Sequence, residues 1–471
     1  MNLRKKESKG LLLAIIALAW PTMFEQLLQT AVQYVDTAMV GSLGTAATAA
    51  VGSTMTLNWL IGSTISAIGV GFLAFISKAH GAGEYEKARL AASQSVLVAL
   101  SVGAFFTVLT LALSPVIPAW MQVDAEIRPL ASQYFFILYT PMLARTATTV
   151  FGTVLRAAGD SKTPMKIGVW VNLTNVILNF FLIYPTRRVS VLSAELTIPG
   201  AGMGVIGAAT ASAIAFALGG ICITVALYRH ALISPRGYSL RPNKPILLAC
   251  LRVAAPNAMQ RFGTSLGYVV FAAMVNSLGS VATAAHTIAN TVESAFYIPG
   301  YGMQTASATL AGNALGARDE KRLRELSRLI IAIEVGLMLL SGALLFLFAP
   351  QMMSLFSADA AVIALGAIVL RMVAVSEPFY GVSIVIEGMM QGMGKTVMPL
   401  ICNICGMWGI RIVGTFICTQ IFDLGLVGAW ACMIAHNLAL FSMFAVYYIS
   451  GRFNPFRKEK NHAIVAWFKR G

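Results

Sequence analysis

The chain has 471 residues, of which 57% are hydrophobic and only 11% charged, and it carries a formal net charge of +15. Soluble domains carry roughly a quarter charged residues, so this composition excludes a soluble fold, and with it a disordered chain, a collagen-like repeat and a secreted disulfide scaffold. A nucleic-acid role for the basic excess is set aside too, because the positive residues sort by side of a membrane.

Apolar runs of about 20 residues or more recur from end to end, each long enough to cross a hydrocarbon core of ~30 Å. The start, Met1-Asn2-Leu3-Arg4-Lys5-Lys6, leads into a run longer than a signal h-region and without a small-residue cleavage site, which predicts a retained first span. Gly, Pro and charge punctuation predicts twelve helices, at 11–40, 46–76, 90–113, 130–155, 167–184 and 205–228, then 246–275, 281–310, 329–348, 362–390, 397–421 and 427–449. With the N-terminus inside, the cytoplasmic side receives most of the 34 basic residues: Arg4, Lys5, Lys6 and Lys9, then Lys78, Lys87 and Arg89, then Arg156, Lys162 and Lys166, those of 229–252 and 318–328, Lys395, and a basic tail. Only Arg128, Arg187 and Arg188 fall outside, while Arg145, Arg261, Arg371 and Arg411 lie within helices. That asymmetry predicts a multi-pass cell-membrane protein with both termini cytoplasmic.

A shift of 235 residues overlays the chain on itself. Pro21 meets Pro256, Ser42-Leu43-Gly44 meets Ser277-Leu278-Gly279, and Ala47-Thr48-Ala49-Ala50 meets Ala282-Thr283-Ala284-Ala285. Gly81-Ala82 meets Gly316-Ala317, and Gly159 and Pro164 meet Gly394 and Pro399. An even number of spans per half inserts both repeats in the same sense, with the substrate path expected at their interface. The expected organisation is a bundle of six helices at 1–235, a cytoplasmic linker at 236–245, and a second six-helix bundle with a basic tail at 246–471. Gly81 and Gly316, where apolar helices give way to charge, are expected to supply the positive φ of helix C-caps, with Glu84, Glu86 and Asp319 opening the helices that follow.

Several motifs join these repeats: Pro21-Thr22-Met23-Phe24-Glu25-Gln26, Val35-Asp36-Thr37-Ala38-Met39-Val40-Gly41, Gly81-Ala82-Gly83-Glu84, Gly312-Asn313-Ala314-Leu315-Gly316-Ala317, and Leu155-Arg156-Ala157-Ala158-Gly159-Asp160 with its echo Met390-Gln391-Gly392-Met393-Gly394-Lys395. In these segments the chain resembles the multidrug and toxic compound extrusion (MATE) family over nearly its full length. The resemblance implies an all-α polytopic membrane protein with twelve transmembrane helices in two pseudosymmetric bundles, V-shaped around a central cavity. It implies secondary active export of organic cations and amphipathic drugs by antiport with Na+ or H+, without a cofactor and without an obligate protein partner. A lipid-linked precursor flippase, or another twelve-helix solute transporter, stands as the alternative. No nucleophile motif, metal spacing or phosphate loop with adequate context appears, so an enzyme is not expected.

A charged side chain at mid-bilayer costs roughly 2.5–3.5 kcal/mol, which makes each one a functional candidate. Asp36 leads, for its place in the first span and its match to the family's N-terminal acidic position. Asn172, Asn175 and Asn179 share one face of the fifth helix, where their amides can coordinate a cation or hold a carboxyl group. Some relatives carry Asp where Asn179 stands, which leaves this chain without a second carboxylate there. Asp36, Asn175 and Asn179 are the expected coupling group. Glu25, Gln260, Glu293, Glu377 and Ser212 are candidates for the ion or substrate cavity, Gln260 lying where some members place Glu. Glu377 and Glu387 are read either as functional acids or as structural pairs, with Arg261, Arg371 and Arg411 as candidates to neutralise acids. Pro378 is expected to kink its helix. His286 and His436 read as hydrogen-bonded packing residues, the methionines from 389 to 407 as lining a cavity or facing lipid, and the six cysteines as apolar packing without a disulfide.

Overall fold

The computed structural model describes residues 2–121, 123–191 and 194–456. In chain order these form α1 (Asn2–Gly41), α2 (Thr45–Gly81), α3 (Tyr85–Leu113), the single turn α4 (Ile117–Trp120), α5 (Arg128–Tyr139), α6 (Met142–Ala157) and α7 (Lys162–Leu182). An antiparallel hairpin of β1 (Pro185–Val191) and β2 (Ala194–Ala201) follows, pairing Arg187 with Ile198 and Val189 with Leu196, and then α8 (Gly204–Arg229). The second half holds α9 (Lys244–Asn276), α10 (Ser280–Phe296), α11 (Ile298–Gly316), α12 (Glu320–Ser354), α13 (Ala360–Ala374), α14 (Glu377–Gly392), α15 (Val397–Ile404), α16 (Val413–Phe416) and α17 (Gly425–Ile449). Two π-helical segments, Cys405–Ile412 and Ile417–Ile421, make α15 and α16 one continuous rod. Most of the basic tail lies outside the described residues.

Among the described residues, eight rods are long and apolar enough to cross a bilayer, and α13 with α14, bent by 55°, makes a ninth. The remaining expected spans correspond to α9, polar between Asn257 and Ser265, and to the broken pairs α5–α6 and α10–α11. All three breaks sit beside a proline: Pro141 caps α6, while Pro299 and Pro378 occupy the first turns of α11 and α14. Proline is tolerated in a first turn, where its missing N–H would have had no intrahelical partner, but not further in.

Backbone conformation repeats with the sequence offset. Left-handed φ values occur at Gly44 and Gly279 (109° and 101°), at Gly83 and Arg318 (72° and 53°), and at Gly159 and Gly394 (90° and 76°). The expected left-handed glycines Gly81 and Gly316 are therefore two residues off. Their role is close approach: a Cβ on Gly81 would lie 2.1 Å from the Asn313 carbonyl oxygen, and one on Gly316 would lie 1.9 Å from that of Lys78. Asp319 does cap the next helix, its carboxylate accepting from the Arg322 amide at 2.8 Å.

The chain forms two compact units that cut across the sequence halves. One comprises the residues up to Met23, Leu73–Glu84, and the chain from Ala249 on. Its core joins Ile15, Leu18 and Ala19 of α1 to Met303, Ala306 and Leu310 of α11 and to Val385, Met389 and Met390 of α14. A second cluster packs Phe271, Leu345, Val369 and Trp430. Met389, Met390 and Met407 are buried to 1% exposure or less, so they fill this unit's interior and neither face lipid nor line a cavity. Small residues bring α11 and α14 together, since a Cβ on Gly392 would sit 1.8 Å from the Ala308 oxygen and one on Gly388 2.5 Å from that of Gln304.

The other unit comprises Phe24–Phe72 and Tyr85–Leu248. Here α8 is the central helix. Gly220 admits Ala144 of α6, Gly219 admits Val171 of α7, and Gly207 lies against the Leu182 carbonyl. The stretch between α8 and α9, linker included, is strapped to α3: Arg89 donates to the carbonyls of Ala231 and Leu232, and Gln94 donates to the Arg241 carbonyl at 3.0 Å while accepting from the Asn243 amide at 2.8 Å.

Candidate functional site

The close approach of α7 and α8 sets Asn175, Asn179 and Ser212 beside Asp36 of α1, all within one compact unit. Asn179 Nδ2 donates to Asp36 Oδ1 at 2.6 Å and to Asn175 Oδ1 at 3.2 Å, and Asn175 Nδ2 reaches Ser212 Oγ at 2.9 Å. Turning the Asn175 amide over aims its Nδ2 at both Asp36 oxygens, each at 3.0 Å, while its Oδ1 accepts from Ser212. An ionised carboxylate is an acceptor only, so it favours the turned arrangement. Asn179 Oδ1 is buried and has no hydrogen-bond partner among the described residues. The cluster thus offers a carboxylate, amide oxygens and a hydroxyl, all hard oxygen donors for a small cation or a proton. Thr210 turns to its own helix, bonding the Ile206 carbonyl.

The other candidates are not among the hydrogen-bond partners of this cluster. Glu25 pairs with Arg156 at 2.5 Å, both side chains mostly buried, so the arginine in the last turn of α6 meets an acid of α1. In the unit that runs from Ala249 on, Gln260 donates to Glu387 at 2.9 Å. Glu387 also accepts from Gln391 at 2.9 Å and from Asn403 at 3.1 Å, which gives this acid three amide donors. Sequence reasoning left Gln391 and Asn403 unassigned; the i, i+4 spacing of Glu387 and Gln391 was the available signal. Glu293 accepts from the Tyr297 hydroxyl, and Glu377 is fully buried at the start of α14.

Among the described residues no ion pair joins Arg261, Arg371 or Arg411 to an acid. Arg261 bonds Asn257, Arg371 bonds the Phe346 carbonyl, and Arg411 stacks on Tyr268 and Phe271 at 4.8 and 4.3 Å. His286 packs edge-on between Phe271 and Trp430. His436 is buried with neither ring nitrogen hydrogen-bonded among the described residues, so the hydrogen bonds expected of it are not seen. The cysteines are free thiols, and Cys418 and Cys432 lie 3.5 Å apart.

The MatE family model matches the chain twice, over residues 21–181 and 256–417, beginning at the two prolines that the internal offset pairs. The chain belongs to the MatE family. This MatE protein is 27% identical over 450 residues to the probable multidrug resistance protein NorM of Thermotoga maritima, covering 96% of this chain and 95% of the relative. It is 25% identical over 418 residues to the probable multidrug resistance protein YoeA of Bacillus subtilis, covering 87% of each. Among solved structures it is similar to a multidrug resistance MATE family transporter of the MOP superfamily in an outward-facing conformation, with a TM-score of 0.85, 25% identity, and 93% and 95% of the two chains covered. A MOP superfamily transporter from Pyrococcus furiosus, described as having a binding pocket of reverse polarity that suggests a different function, matches with the same values. The fold is the all-helical polytopic fold of these membrane transporters.

Proposed function

We propose that this MatE protein exports organic cations and amphipathic drugs across the cell membrane, both termini cytoplasmic, in antiport with Na+ or H+. The two repeats, 1–235 and 246–471, act as its moving bundles. The observation that carries the coupling role is the Asp36 carboxylate held at 2.6 Å by Asn179, with Asn175 free to turn either an N–H or an oxygen toward it. With Asp36 ionised and the site empty, the Asn175 N–H groups face the carboxylate. When Na+ enters, the carbonyl oxygens of Asn175 and Asn179 turn to the cation alongside Asp36. When H+ enters, the carboxyl group donates to an amide oxygen instead. Each occupant neutralises Asp36 and removes the charge that attracts a cationic substrate, so ion entry and drug release are linked. The names of the Thermotoga relative and the outward-facing transporter support the choice of drugs as cargo.

The deciding experiment is dye efflux in everted vesicles with Na+ and H+ gradients imposed separately. Asp36→Asn keeps shape and most hydrogen bonds, and removes an insertion cost, so expression stays near normal while gradient-driven export falls to background. Asn179→Ala slows export without abolishing it. Wild-type export by Asp36→Asn under either gradient rejects Asp36 as the coupling group.

A further inference from the structure

Arg145 stands in α6, in the middle of the fourth span, just after the break at Pro141. Its Nη2 donates to Asn58 Oδ1 at 2.6 Å. Its guanidinium carbon lies 4.5 Å from the Phe216 ring centre and 5.5 Å from that of Tyr139, whose hydroxyl bonds Asn58 at 3.5 Å. Nη1 is buried and has no hydrogen-bond partner among the described residues, and no carboxylate forms an ion pair with this arginine there. A guanidinium cannot shed its charge in a protein and is built to grip an anion with two parallel N–H groups. Nη1 is left without an acceptor while two rings and an amide fix the plane.

The position relative to Asp36 gives this arginine a use. Phe216, which stacks on Arg145, follows Ser212 by four residues on α8, and Ser212 belongs to the Asp36 network. Residues four apart share a helix face and are separated by about one turn, ~5.4 Å of axis. A carboxylate and a guanidinium therefore lie in the same unit, linked through Asn175, Ser212 and Phe216, each without an ionic partner among the described residues.

We propose that Arg145 is the anion-binding half of a zwitterion subsite whose cation-binding half is Asp36, and that it takes the carboxylate of organic substrates carrying both charges. The inference rests on the export reading above, in which a lone arginine beside the cation site would only repel cargo. A purely structural clamp of α2, α6 and α8 is the competing account. It needs no unpartnered Nη1 and predicts no preference for an acidic ligand.

The test uses purified full-length protein in neutral-lipid nanodiscs and two probes, rhodamine B, which carries a cationic ring system and a free carboxylate, and its methyl ester. Fluorescence polarisation should give tighter binding of the acid than of the ester by about tenfold or more, the scale of one charge-assisted hydrogen-bonded contact. Arg145→Gln should collapse the acid-to-ester ratio to near one, and Arg145→Lys should restore part of it. If Arg145→Gln does not fold, judged by its melting transition, Arg145→Lys and Asn58→Ala decide, each reducing the ratio several-fold. Equal binding of acid and ester to wild type overturns the proposal, as does binding of neither dye, or a ratio unmoved by the variants. Failure of the export reading is visible separately, as ester binding that Asp36→Asn leaves unchanged.

Discussion

Glu25 and Arg156 are both mostly buried, and their charged atoms stand 2.5 Å apart between α1 and the end of α6. Removing one member strands the other charge in a low-dielectric place, whereas removing both leaves two neutral groups. A double-mutant cycle with Glu25→Gln and Arg156→Met, read by thermal melting in detergent, should give a coupling energy of about 1–3 kcal/mol, the doubly changed protein melting above the Arg156→Met single. At this scale the sequence was only partly readable. That Asn175 and Asn179 share a face follows from their spacing, but that this face meets Asp36 depends on the packing of α1 against α7, which no local pattern encodes. The Arg156 partner of Glu25 was hidden for the same reason: a loop-end arginine counts toward membrane sidedness whether or not its side chain folds back.

Between elements, small residues decide how closely helices approach. Gly388 and Gly392 repeat at a spacing of four on α14, and both meet backbone or hydroxyl oxygen of α11 below 3 Å once a Cβ is added. Gly392→Ala should therefore force α14 away from α11 and cost about 1–3 kcal/mol in overpacking, seen as a lower melting temperature. Gly336→Ala on α12 is the matching control, since a Cβ there meets nothing within 4 Å and alanine favours helix by about 1 kcal/mol. Equal melting shifts for the two variants would reject the close-packing account. The spans themselves were legible from the length of apolar runs, and the bend before Pro378 from the proline. The breaks at Tyr139–Met142 and Phe296–Ile298 carried the same signal in Pro141 and Pro299, but it was passed over because short interruptions leave hydropathy intact. The π-helical turns of 405–421 leave it intact for the same reason, and the hairpin at 185–201 alternates too weakly to register.

For the whole molecule, the proposed sidedness of the loops implies an orientation that labelling can check. In a cysteine-free background, cysteines replacing exposed Lys162 and Arg236 should react only with a cytoplasmic impermeant reagent, and one replacing exposed Thr186 only from outside. Ser161 would be a poor choice, being 2% exposed, and Ser193 lies outside the described residues. Reaction of the Arg236 and Thr186 positions from the same face would break the twelve-span arrangement. The duplication was legible from the constant offset, and the structure adds that left-handed backbone recurs at the same spacing even where Arg318 stands in place of glycine.

The sharing of α1 between compact units has a consequence for how the chain is made. Ile15, Leu18 and Ala19 leave the ribosome well before their buried partners on α11 and α14, which follow them by roughly three hundred residues. The opening helix must therefore wait in the lipid with one face uncovered while most of the protein is inserted, a long-range closure of the kind that slows assembly. A polypeptide cut in the linker and expressed as its second half alone would lack those residues, and would leave the surface of α11 and α14 that they cover open to quality-control proteases. Co-expression of the first half in the same membrane should restore it, with survival of the second fragment after a translation block as the readout.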